Sequence, residues 1–180
     1  MSWKKIDSRL VYENDWMQVL EDKVINPRGG RNDYGHIHFK NRAVAILPLD
    51  ENNNTWLVGQ DRYTLGEWSW ELPMGGAPHD EDLLAAAKRE LKEETGLTAD
   101  CWTELMQLHL SNSITNELGV VFIAEELSAG RTAFDETEVL EVRKTPLMDA
   151  IAMVGSGEIT DAMSVAALLR AALMNADSLR

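Results

Sequence analysis

The chain has 180 residues, 44% of them hydrophobic and 26% charged. That is the balance of one folded domain able to bury a core, and it excludes a disordered or fibrous chain. Lys and Arg number 17 against 30 Asp and Glu, a net charge of −13, so a nucleic-acid partner is not expected, and an anionic substrate needs local arginines or metal ions. A single cysteine, Cys101, excludes a disulfide framework and a cysteine-rich zinc site and suits a reducing compartment.

Residues 1–7 carry no apolar leader, and no run approaches the ~18 apolar residues of a membrane span. The expected setting is therefore the cytoplasm, with no membrane partner. Residues 1–40 read as a small β-rich lead-in and 41–180 as the main domain. Arg9–Tyr12, Met17–Val24 and Tyr34–Phe39 have strand character, and turn residues fall at Asn14-Asp15 and Asn26–Gly30. Ala43–Leu49 is a continuous apolar run, as for a strand buried on both faces. After a polar turn over Asp50–Asn54, Thr55–Gln60 is expected to pair as the next strand. Tyr63–Pro78, rich in Trp, Gly and Pro, is expected to be irregular. Residues 80–95 have helical periodicity, 104–110 and 118–126 read as strands, and Val139–Val142 as a further short one. Leu147–Val154 and Thr160–Met174 are expected to be helices. Their apolar stripes would be Leu147, Ile151 and Val154, then Val165, Leu168, Leu169 and Ala172. Strands interspersed with a few helices predict an α+β or α/β sandwich.

The chemistry concentrates in the helix over 80–95. Asp80 is the expected N-cap, with Glu81 and Asp82 complementing the positive end of the helix. Leu84, Ala87 and Leu91 form the core stripe, and Gly96 is placed to stop the helix. Glu90, Glu93 and Glu94 crowd one side, where like charges three and four apart destabilise an isolated helix by a few tenths of a kcal/mol each. Alone, such a cluster is most often a solvated acidic face. Hard divalent cations such as Mg²⁺ or Mn²⁺ are the chemistry that would use it, because they take oxygen ligands from one or two carboxylates plus substrate phosphates.

The surrounding positions decide between the two. Gly75, five residues, Glu81, seven residues, then Arg89-Glu90-Leu91-Lys92-Glu93-Glu94-Thr95-Gly96-Leu97 resembles the Nudix box at every fixed position. A chance match in a chain of average composition is on the order of 10⁻⁷. Gln60-Asp61-Arg62-Tyr63 and Trp70–Gly76 resemble the lead-in of the ADP-ribose pyrophosphatase group. So do the acidic run Asp135–Glu138 and Ser156–Ala162. Where that group often carries a proline after the box, this chain has Asn112.

The resemblance implies an α/β fold, the Nudix α/β/α sandwich, with a small N-terminal β-rich region that helps form a homodimer and reaches the partner's substrate pocket. It implies metal-dependent hydrolysis of the pyrophosphate of ADP-ribose or a related nucleoside diphosphate sugar, with Mg²⁺ (or Mn²⁺) as cofactor. The alternatives are a Nudix pyrophosphatase for GDP-mannose, dinucleoside polyphosphates or oxidised nucleotides, or a non-catalytic nucleotide-sugar sensor. By position, Glu90 and Glu94 are the implied metal ligands, joined by Glu93, which either ligates or orients water, and by the Met74 carbonyl. Glu81 and Arg89 are an implied structural pair, and Gly75, Gly76 and Gly96 supply backbone freedom. A glutamate well downstream of the box is the implied general base, with Glu138 and Glu136 as candidates.

Substrate binding needs positive charge. Arg62 is the leading candidate because it belongs to the family-like lead-in, with Arg42, Arg28 and Arg31 behind it. Trp16, Tyr34, Trp68 and Trp70 are candidates to stack on a base, against the commoner role of core packing. His36, His38, His79 and His109 lack metal-ligand spacing, and Cys101 has no basic neighbour to activate it.

Overall fold

The computed structural model describes residues 2–130 and 139–177. In chain order the elements are β1 (Lys4–Glu13), β2 (Met17–Ile25), β3 (Arg31–Phe39), β4 (Asn41–Pro48), β5 (Asn54–Arg62), β6 (Glu67–Glu71) and β7 (Met74–Pro78). Then follow α1 (Leu83–Thr95), β8 (Leu97–His109), β9 (Leu118–Ala129), β10 (Glu141–Pro146), α2 (Leu147–Ser156) and α3 (Ala162–Asp177).

The centre is a four-stranded sheet ordered β7-β4-β9-β8, in which β4 and β9 run parallel and the outer pairs antiparallel. Val44, Ala45, Ile46 and Leu47 of β4 are all fully buried, as its unbroken apolar run predicts. Alternation sends them to opposite faces. Val44 and Ile46 join Val120 and Phe122 of β9 against Ala86, Ala87 and Leu91 of α1. Ala45 and Leu47 join Val121 and Ile123 against Leu57 of β5, Leu147 and Ala150 of α2, and Met163 and Leu168 of α3. The central sheet is thus sandwiched between α1 and a layer formed by the sheet β10-β5-β6 with α2 and α3.

Several expectations need correction. Tyr63–Pro78 is not irregular, because it contains β6 and β7. Its breakers are tolerated because Pro73 falls between the strands and β7 is a sheet edge, needing backbone pairing on one side only. β5 does not pair with β4 but with β10 and β6. The Asp50 carboxylate caps the backbone N–H groups of Asn52 and Asn54 in the intervening turn, and the chain leaves it in another sheet. β8 starts at Leu97, directly after the helix stop, well before the expected 104.

The last helix also faces differently. Met163, Ser164, Ala167, Leu168 and Ala171 are buried, whereas Leu169 is 45% exposed. Small residues let α3 approach closely, and the Ser164 hydroxyl accepts the Leu72 N–H at 2.8 Å. On α2 the buried stripe is Leu147, Ala150 and Met153, with Ile151 and Val154 packed only partly against the same core.

β1, β2 and β3 form a separate three-stranded sheet. It docks on the loop after β8: the Ile37 N–H donates to the Ile114 carbonyl at 2.8 Å, the Phe39 N–H to Asn116 Oδ1 at 2.7 Å, and the Tyr34 hydroxyl to the Ser113 carbonyl at 2.5 Å. Within it Asp22 is buried, and Ser8 donates to Oδ1 at 2.5 Å. That bond, more than the neighbouring His36, holds the Asp22 carboxyl below its ordinary range.

Candidate active site

α1 is capped by Asp82 rather than Asp80. Asp82 has extended backbone (φ −65°, ψ 133°), and its side chain accepts the Ala85 N–H at 2.9 Å. The cap therefore lies two residues later than the sequence suggests, and Glu81 falls outside the first turn, free to serve another group. At the far end Gly96 takes the left-handed conformation (φ 73°) and donates to the Lys92 carbonyl.

Arg89 organises the junction. It donates from Nε and Nη2 to the two Glu81 oxygens, both at 3.2 Å, and from Nη2 to the Gly76 carbonyl at 2.9 Å. Its Nη1 donates to Glu90 Oε1 at 2.6 Å and to Glu93 Oε2 at 3.1 Å. The Glu81 bonds first, then Glu90 and Glu93, hold the guanidinium charged well beyond its ordinary range despite partial burial. One arginine thus compensates three carboxylates that would otherwise repel one another.

Glu94 is buried, and its Oε2 accepts the Met74 N–H at 3.0 Å. The Glu90 carboxyl group lies directly against Gly75, where a Cβ would overlap it. A glycine is required there because the loop backbone and the helix carboxylate share that space. Met74, Gly75, Glu90 and Glu94 therefore come together although twenty residues separate the first from the last.

Met74, Gly75 and Glu94 line a cleft of about 440 Å³ together with Trp16, Arg42, Gln60, Arg62, Gly76 and Glu117. Arg62 is not free in it. Its Nε donates to Glu71 Oε1 at 2.9 Å, and its Nη2 to Glu71 Oε2. That bidentate bond is the main reason the Arg62 pKa is raised. Arg42 donates to the Pro78 and Glu81 carbonyls at 2.9 and 2.6 Å, while its buried Nε has no hydrogen-bond partner among the described residues. Trp16 is 66% exposed at the rim.

Trp70 and Arg28 lie elsewhere. Trp70 packs against the core with the Arg143 guanidinium 4.0 Å from its ring centroid. Arg28 sits in the exposed Asn26–Gly30 turn. Glu136 and Glu138 lie outside the described residues.

Glu117 was not singled out from the sequence. Burial first, then the neighbouring Asp161 charge, pushes its carboxyl above the ordinary range. The parallel pairing of β4 with β9 (Ala43 opposite Gly119) brings it level with Asn41 and Arg42. The signal available was its position immediately before an apolar strand.

Residues 39–167 match the NUDIX domain model, and residues 3–37 match the nucleoside diphosphate sugar hydrolase N-terminal domain model. The chain belongs to the Nudix hydrolase family. It is 33% identical over 176 residues to an ADP-ribose pyrophosphatase of Mycobacterium tuberculosis, covering 93% of this chain and 82% of that protein. It is 36% identical over 128 residues to an ADP-ribose pyrophosphatase of Bacillus subtilis, covering 70% and 69%. A GDP-mannose pyrophosphatase of Yersinia pestis is 36% identical over 134 residues, covering 69% and 67%. A crystal structure of an ADP compounds hydrolase shares the Nudix fold with a TM-score of 0.88, at 21% identity over 99% of this chain and 96% of that one.

Nudix hydrolases generally use a divalent metal. Among the described residues no three carboxylate, imidazole or thiolate groups converge as a preformed cation cage. Arg89 and the Met74 N–H take up the Nudix glutamates instead. The donor set nevertheless suits a hard cation. Glu94 lines the cleft beside the Met74–Gly76 backbone, and the Glu90 carboxylate lies against Gly75 of that same backbone.

Proposed function

We propose that this chain hydrolyses the pyrophosphate bond of ADP-ribose or a related nucleoside diphosphate sugar, giving a nucleoside monophosphate and a sugar phosphate. The observation that carries this reading is the approach of both Glu90 and Glu94 to the Met74–Gly75 backbone, with Glu94 and that backbone lining one cleft. The named activities of the ADP-ribose and GDP-mannose relatives bear on the substrate class.

Glu90 and Glu94, with the Met74 carbonyl, would hold Mg²⁺ or Mn²⁺. Such an ion offsets phosphate charge and lowers the pKa of an attacking water. Arg89 keeps Glu90 and Glu93 in place beside the loop. Arg42 and Arg62 supply positive potential to an otherwise acidic cleft, Arg62 from a fixed position against Glu71. Trp16 offers an open aromatic face at the rim for the base. Glu138 or Glu136 would take the proton of the attacking water.

The test is a panel of ADP-ribose, GDP-mannose and other nucleoside diphosphate sugars assayed with Mg²⁺, with Mn²⁺ and with a chelator. The expected result is nucleoside monophosphate and sugar phosphate from at least one of them, falling to background on chelation. Activity that survives complete metal removal, or none on any member, would overturn the reading.

The lead-in sheet suits a homodimer. Trp3, Ile6, Leu10, Val11 and Tyr12 on or beside β1 are each about half exposed, an apolar stretch that a second copy of the chain would cover. Sedimentation equilibrium is expected to return twice the 20.2 kDa chain mass. Leu10→Glu combined with Tyr12→Glu would move it to the monomer. The half-buried free thiol of Cys101 fits a reducing cytoplasm. Among the described residues, no helix is long and apolar enough to cross a membrane.

A further inference from the structure

A second cleft, of about 490 Å³, lies between α1 and the start of β8, walled by Lys88, Arg89, Lys92, Glu93, Thr98 and Trp102. Lys88 and Lys92 each stand two residues from Glu90 or Glu94, about 200° around the helix, so the cleft borders the glutamate cluster through Arg89 and Glu93 but shares no lining residue with the first cleft. Three cations and one carboxylate line it, in a chain of net charge −13. Arg89 is saturated by its glutamates, but Lys88 and Lys92 make no ion pair among the described residues.

The aromatic wall is rigid. Trp102 Nε1–H donates to the Ala99 carbonyl at 2.9 Å, and Phe122 meets the ring edge-on, with centroids 6.4 Å apart. Lys88 Nζ stands 5.9 Å from the ring centroid, marking a face that attracts cations and planar rings alike. A fixed indole with two uncompensated ammonium groups one helical turn apart is complementary to a planar ring carrying a phosphate. The volume is in the range of small-ligand sites.

We propose that this cleft binds a nucleoside monophosphate, its base against Trp102 and its phosphate between Lys88 and Lys92. The inference does not depend on the hydrolytic reading, since none of these three residues belongs to that machinery.

The test uses the ¹⁵N–¹H indole signal of Trp102, assigned by its loss in Trp102→Phe, in the intact chain with chelator present. AMP, inorganic phosphate and adenosine are titrated separately. A saturable shift of the Trp102 signal by AMP is expected, with weaker binding of phosphate or adenosine alone. The Lys88→Ala/Lys92→Ala variant should lose about tenfold or more in AMP affinity at an unchanged melting temperature. An unmoved Trp102 signal, equal affinity for phosphate alone, or undiminished binding by the double variant would each overturn the proposal.

Discussion

Glu94→Gln is expected to lower kcat on the preferred nucleotide sugar by more than about 100-fold, a loss at or beyond the upper end for groups that support a metal site, while the protein stays folded. The separation of the two effects follows from the geometry. Glu94 accepts the Met74 N–H. The glutamine carbonyl oxygen can accept the same bond in nearly the same volume, so the protein should stay folded with a stability loss smaller than its loss of turnover. What glutamine cannot supply is the negative charge in the cleft, where a divalent cation would sit beside Glu90. Steady-state kinetics at saturating Mg²⁺ together with a thermal melt check both halves. Glu90→Gln makes a useful contrast: Glu90 also accepts a charged bond from Arg89 at 2.6 Å, so that variant should lose stability as well as turnover. Wild-type kcat in Glu94→Gln would remove Glu94 from the chemistry.

What the sequence disclosed and what it hid divide along one physical line. The β4 core run was legible because burial on both faces leaves an unbroken apolar stretch. The box was legible because its spacing is local: Arg89, Glu90, Glu93 and Glu94 lie within two turns of one helix. Arg62 was visible as a charge but not as a partner, because no local pattern distinguishes Glu71 from Glu67. The hairpin register even sets Arg62 opposite Glu67, yet the side chain reaches the buried Glu71. Glu117 was hidden for a similar reason, since its position beside Arg42 depends on a parallel pairing between strands more than seventy residues apart. The facing of α3 is not set by its leucines, since Leu169 is exposed. Close approach of the helix instead favours Ser164, Ala167 and Ala171.

The Arg62–Glu71 pair yields the second large expectation. The Glu71 side chain is only 4% exposed, and Arg62 is its bidentate partner. Arg62→Ala would strand a buried carboxylate, and breaking one side of such a pair costs about 3–5 kcal/mol. The low end applies here, because 37% of the Arg62 side chain remains in solvent. For a chain of this size about 3 kcal/mol corresponds to a fall of roughly 6–12 °C in melting temperature. Arg62→Lys should recover only part of it, because a point-charge ammonium cannot reproduce the two parallel bonds. Removing both charges, in Arg62→Ala with Glu71→Gln, should restore more than half the lost stability, since the stranded charge and not the missing contact dominates the cost. Thermal melts of the wild type, Arg62→Ala, Glu71→Gln and the double variant close this cycle, and KM for the preferred nucleotide sugar separates the roles. A substrate arginine, once removed, raises KM at an unchanged melting temperature, whereas an arginine held by Glu71 takes the fold with it first. An unaltered melt for Arg62→Ala would therefore mean that the guanidinium serves the ligand and that Glu71 tolerates its burial without it.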